Sequence, residues 1–92
     1  MSTVTVWIPP ALRGFVDGAH EMKVEASDVS SALAAVGRDH AGFLNRVLAP
    51  DGTLRPLVNI YVDEDNIREL QGLETPLADG RSVAIIPAIA GG

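Results

Sequence analysis

Apolar and polar residues alternate from Thr3 to Ile8, with Val4, Val6 and Ile8 on one side and Thr3, Thr5 and Trp7 on the other. A period of two is that of a half-buried strand. Pro9-Pro10 ends it, because proline has no ladder donor. Asp17-Gly18 is a turn signal with a strand candidate on each side; the second candidate, over residues 19–25, alternates irregularly. The period then changes. Ser27 or Asp28 supplies a capping oxygen, and Val29, Leu33, Val36 and His40 recur at helical spacing, expected to face the sheet. Gly37 interrupts this run and predicts a loose last turn. Phe43, Leu44, Val47 and Leu48 suggest a further short helical turn before Pro50-Asp51-Gly52.

The clearest strand covers residues 57–62, rich in β-branched side chains and flanked by Pro56 and Asp63-Glu64-Asp65. Residues 66–78 read as irregular connection with at most one short strand near Ile67. Asp79-Gly80 turns the chain into a last strand over 82–86, and after Pro87 it continues as Ala88-Ile89-Ala90-Gly91-Gly92. Two strands, a helix, then more strands describe an α+β domain, a helix on one face of a mixed sheet. That order fits several small folds. The expected core is Val4, Val6, Ile8, Val29, Leu33, Val36, Val58, Ile60, Val62, Val83 and Ile85, with the first and last strands adjacent.

Composition narrows the function. A chain of 92 residues is one domain with a modest core and no deep catalytic cleft. At 47% hydrophobic and 21% charged it is a globule rather than a disordered segment. Twelve acidic residues against seven basic ones give a net charge of −5. This disfavours nucleic acid and suits a basic protein surface. No apolar stretch is long enough for a membrane span, and no signal peptide is evident, so the cytoplasm is the expected location. The absence of cysteine removes disulfides, thiolate metal sites and thiol nucleophiles.

The remaining side chains offer little chemistry. Asp63, Asp65 and Glu74 fall at positions 1, 3 and 12 of a calcium loop, but Ile67 and Arg68 occupy the fifth and sixth, where an oxygen ligand and glycine are needed. A solvated acidic turn is the better reading. His20 and His40 are isolated, and Ser30 and Ser31 lie in a helix without a nearby base, so no metal ligand set and no catalytic residue is assigned. Trp7 lies opposite the core-facing valines; with Tyr61 and Ile86 on the same outer sheet face it would form an apolar docking patch.

The end of the chain carries the sharper signal. Pro87-Ala88-Ile89-Ala90-Gly91-Gly92 directly after an apolar strand resembles the terminus of the ThiS and MoaD sulfur carriers, which are β-grasp proteins related to ubiquitin. Within that family the likeness is greatest to cysteine-biosynthesis carriers of the CysO type. It extends to Val4-Thr5-Val6-Trp7-Ile8-Pro9 with Leu12-Arg13, to Val58-Asn59-Ile60-Tyr61-Val62-Asp63 and to Asp79-Gly80, and is weakest over residues 37–53. The resemblance implies a β-grasp domain over 1–87 and a flexible tail over 88–92. It further implies that Gly92 is adenylated by a ubiquitin-activating-like enzyme using ATP and converted to a thiocarboxylate. Ala88, Ile89, Ala90 and Gly91 would thread the enzyme's site, where glycine's lack of a Cβ keeps the chain slender. In the cysteine branch the sulfur would pass to a PLP-dependent synthase, and a metalloprotease would release the product. The carrier itself would be a cosubstrate. The small subunit of molybdopterin synthase, a ubiquitin-like binding module and a lysine-conjugated modifier are the alternatives.

Overall fold

The computed structural model describes residues 1–87; the flexible tail expected over 88–92 lies outside the described residues. Five strands form one sheet: β1 (Ser2–Trp7), β2 (Glu21–Ala26), β3 (Val58–Val62), β4 (Asp65–Asn66) and β5 (Ser82–Pro87). Their order is β2-β1-β5-β3-β4. β1 and β5 run parallel at the centre, and the remaining pairs are antiparallel. Helices α1 (Val29–Gly37) and α2 (Ala41–Val47) cover one face. Among the described residues no helix is long and apolar enough to cross a membrane.

Alternation in β1, β3 and β5 sends Val4, Val6, Val58, Ile60, Val62, Val83 and Ile85 toward the helices, where Val29, Leu33 and Val36 meet them. All of these, with Ile8, are buried as expected. Leu12, Val16, Ala26, Phe43, Val47, Ile67 and Leu77 join the core as well. Leu12 comes from an unexpected element, a 3-10 turn over Pro10–Phe15 between β1 and β2, and Val16 is the residue that caps it. Asp17 and Gly18, both with positive φ, then reverse the chain. β2 is an edge strand that alternates regularly, with Met22 and Val24 half-covered; the irregularity read over 19–25 belongs to Ala19 and His20, which precede the strand.

Asp28, rather than Ser27, caps α1. Its Oδ1 accepts from the Ser31 amide at 2.8 Å, while Ser31 Oγ accepts from the Asp28 amide at 3.1 Å and the Ser27 amide at 3.0 Å. This reciprocal box satisfies amides that a helix start leaves open, and it gives Ser31 a structural role.

Two expectations at the other end of α1 are corrected. The last turn is not loose: the Arg38 amide still donates to Ala34 O at 2.9 Å. A Cβ on Gly37 would stand 2.9 Å from Leu44 Cδ2, so this glycine lets α2 approach α1. His40 does not extend the sheet-facing stripe; it lies beyond α1 as the residue preceding α2, its carbonyl accepting from the Phe43 amide at 3.1 Å.

The connection over 66–78 is anchored by Ile67, which is fully buried but begins a 3-10 turn (Ile67–Glu69) just after the two-residue β4. Buried Thr75 ties it locally, its hydroxyl donating to Gly72 O at 2.7 Å and accepting from the Gln71 amide at 3.1 Å. The acidic turn after β3 is engaged in structure. Asp63, at φ 56°, accepts from the Ser82 amide at 3.1 Å and from Arg81 Nη1 at 2.6 Å. Those two hydrogen bonds, Arg81 first, hold its carboxyl below the usual carboxylate range.

A lowered folded-state pKa contributes stability above the unfolded value, about 3.9, that is lost as pH falls through the folded value. Asp63→Asn tolerates the positive φ but removes the charge. The stability gap between wild type and variant should therefore be largest near neutrality and shrink below about pH 4. The pair is exposed, so a gap of no more than about 1 kcal/mol is expected. Thermal melts across pH read it, and a gap that grows on acidification would contradict the assignment.

Candidate functional site

The site begins with the register at the middle of the sheet. Trp7 pairs with Ala84 across the parallel β1–β5 ladder, and Ala84 pairs with Tyr61 across the antiparallel β5–β3 ladder. Paired residues point to the same side, so Trp7, Ala84 and Tyr61 form one row on the face opposite the helices. Adjacent strands are about 4.8 Å apart, which puts the two aromatic residues about 10 Å apart. Alanine between them leaves both rings room. Ile86, two residues beyond Ala84, shares that face opposite Asn59. Trp7 is 47% and Ile86 50% exposed, which is much apolar surface for adjoining positions of a small sheet. The structure thus brings together the three residues expected at a docking patch, Tyr61 being half-buried.

Beside this row runs a shallow groove of about 500 Å³, lined by Trp7, Pro9, Pro10, Ala84, Ile86 and Pro87 among others. Arg13 stands at its rim and is fixed by Nε donating to Ile8 O at 3.1 Å. Pro9 and Pro10 read in the sequence only as a strand stop; their second role is to supply rigid apolar walls. The clue was there, since two prolines beside an outward tryptophan cannot turn away from solvent as flexible side chains can. Acidic side chains flank the patch: Glu21 pairs with Trp7, and Glu25 lies four residues further along β2, its carboxylate accepting from the Thr3 hydroxyl.

The described part of β5 ends at the same place. Pro87, opposite Val58, is the last described residue of β5 and part of the groove wall. The residues expected to carry and thread the reactive end, Gly92 with Ala88, Ile89, Ala90 and Gly91, lie outside the described residues. Pro87, which precedes them in the sequence, is paired with Val58 and follows Ile86.

The two carboxyls with lowered pKa lie away from the patch. Asp63 is explained above. Asp51 is lowered by the hydroxyl and then the amide of Thr53, which donate to it at 2.7 and 3.1 Å. Both are loop-fixing contacts. Among the described residues no three His, Cys, Asp or Glu side chains are grouped to hold a metal ion.

Comparison with known proteins agrees with this geometry. The ThiS family model matches residues 11–92. The sulfur carrier protein CysO of Mycobacterium tuberculosis is 36% identical over 91 residues, covering 97% of this chain and 98% of that one. The crystal structure of M. tuberculosis CysO superposes with a TM-score of 0.87 at 34% identity, over 94% of this chain and 99% of that one. CysO in the Amycolatopsis orientalis BexX/CysO complex gives 0.89 at 35% identity, over 97% and 99%. The fold is the ubiquitin-like β-grasp. The chain belongs to the ThiS family: it is a sulfur carrier similar to CysO, a protein cosubstrate rather than an enzyme.

Proposed function

We propose that this protein carries sulfur as a thiocarboxylate on Gly92 and delivers it for cysteine formation. The observation that supports this most is the likeness to CysO over nearly the whole of both chains. A likeness confined to the tail would be common to all such carriers.

The chemistry proceeds from the weakness of a carboxylate as an electrophile. One Gly92 carboxyl oxygen attacks the α-phosphorus of ATP in a ubiquitin-activating-like enzyme and releases pyrophosphate, leaving an acyl adenylate. A sulfur donor displaces AMP, and the product is the thiocarboxylate. A PLP-dependent synthase would supply an electrophilic three-carbon acceptor; the thiocarboxylate sulfur would add to its β-carbon and a proton to its α-carbon, giving a thioester whose amine is free once the product leaves the cofactor. The amine of the new amino acid then attacks that carbonyl, moving the acyl group from sulfur to nitrogen, and a metalloprotease hydrolyses the amide to free cysteine. The cytoplasm, where ATP is available, is the proposed location of these steps. What the carrier supplies is presentation: holding two reactants together removes roughly 7–11 kcal/mol of barrier. The patch of Trp7, Tyr61 and Ile86 docks the activating enzyme so that the small-residue tail reaches its nucleotide site.

Deleting Gly92 should abolish ATP–pyrophosphate exchange by the cognate activating enzyme while changing stability by no more than roughly 0.5 kcal/mol. Retained exchange would place the reactive group elsewhere.

Trp7→Ala, which leaves the buried valines of β1 intact, should raise the apparent KM for carrier in the same assay by roughly tenfold, the scale of an aromatic hot spot. It should do so with little change in the thermal melt. An unchanged KM would remove Trp7 from the docking surface.

A further inference from the structure

A second surface is assembled on the helix side, away from the Trp7 row. Gly42, Asn45 and Arg46 fall at i, i+3 and i+4 of α2 and so share one face of it, while Phe43 and Val47 turn to the core. Phe15, from the 3-10 turn after β1, lies against that outer face. A Cβ on Gly42 would stand 2.9 Å from Phe15 Cδ1. Glycine is a poor helix former, disfavoured by about 1 kcal/mol relative to alanine, and here its missing side chain is what seats the ring. The Arg46 guanidinium sits over that ring, 5.0 Å from its centre. Arg55 arrives from the loop before β3; its Nε donates to Asn45 O at 2.9 Å and its amide to Val47 O at 3.1 Å. Together these residues line a cleft of about 510 Å³.

The chain carries a net charge of −5, yet two arginines line this one cleft. Arg81 is paired with Asp63, and Arg68 is spent on backbone carbonyls, the shortest bond running 2.7 Å to Val58 O. Among the described residues neither Arg46 nor Arg55 has a carboxylate within ion-pairing distance. The Nη groups of Arg55 and the whole Arg46 guanidinium make no hydrogen bond to the described residues. Two fixed guanidinium groups at one cleft repel each other until an anion joins them, and the planar fork of arginine matches carboxylate bidentately.

We infer that this cleft docks an acidic segment of a partner protein, with Arg46 and Arg55 each holding a carboxylate and Phe15 supplying apolar contact beneath them. A free phosphate fits less well, because the donors are two separate forks on an open surface flanking an aromatic ring. Arginine beside an aromatic residue is the composition enriched at protein interfaces. The inference concerns the helix face alone and is independent of the sulfur chemistry at Gly92.

The test is an NMR titration of the isotope-labelled full chain with an acetylated hexaglutamate peptide, and separately with inorganic phosphate, at matched ionic strength. The peptide should shift the Nε–Hε signals of Arg46 and Arg55 and the Phe15 ring signals saturably. The Arg46→Gln, Arg55→Gln double variant should weaken binding by at least roughly tenfold, the loss expected for charge-assisted hydrogen bonds. Gly42→Ala leaves every charge in place but displaces the ring, and should weaken binding severalfold; Trp7→Ala should leave it unchanged. The amide spectrum of each variant reports that it is folded. Shifts spread over all arginines, phosphate binding as tight as the peptide's, or full affinity in Gly42→Ala would overturn the inference.

Discussion

The parallel pairing of β1 with β5 is the constraint on which the rest of the structure depends. Thr5 meets Ser82, Val6 meets Val83 and Trp7 meets Ala84, joining positions 77 apart in the chain. Closing a loop of that length costs roughly 4 kcal/mol of chain entropy. Burying Val83 and Ile85 offsets it, at about 1.5–3 kcal/mol for each side chain. The return is positional. β5 is held by β1 as far as Ala84 and by β3 as far as Pro87. Pro87, the last described residue, is thereby set in one groove with Trp7 and the Pro9-Pro10 wall. If the end of the chain enters other proteins' active sites, as proposed, such a placement matters more than a cleft of its own.

Much of this was legible in the sequence because strand and helix periods act locally. Alternation placed Val4, Val6, Ile60 and Val83 in the core and Trp7 outside it, and each stands where expected. What local periods do not contain is the relation between segments. The row Trp7–Ala84–Tyr61 needs the registers of two ladders, and no single strand specifies either. The same limit explains Gly37. In isolation a glycine near a helix end reads as weakness; against Leu44 it is the clearance that α2 requires. His40 fitted the stripe of α1 by spacing, but the chain had already turned away beyond Arg38.

The arginines show the limit most plainly. Gly42, Asn45 and Arg46 share a helical face in the sequence, yet α2 was recognised from Phe43, Leu44, Val47 and Leu48 alone. Its polar face became informative only once Phe15 and Arg55 arrived from other segments. The molecule thus offers two unlike surfaces on opposite sides of one sheet, an apolar one next to the departing tail and a cationic one on the helices. Under the proposed function this division is useful, since different partners can hold different faces while one tail does the chemistry.

The central claim is that Gly92 bears the sulfur, and intact-mass spectrometry of the protein purified from its native host tests it most directly. The account predicts a species in which one carboxyl oxygen is replaced by sulfur, or one with cysteine joined to Gly92, with tandem fragmentation locating the change on the final residue. A chain found only unmodified under sulfur-replete and sulfur-starved growth, or modified at another residue, would contradict it.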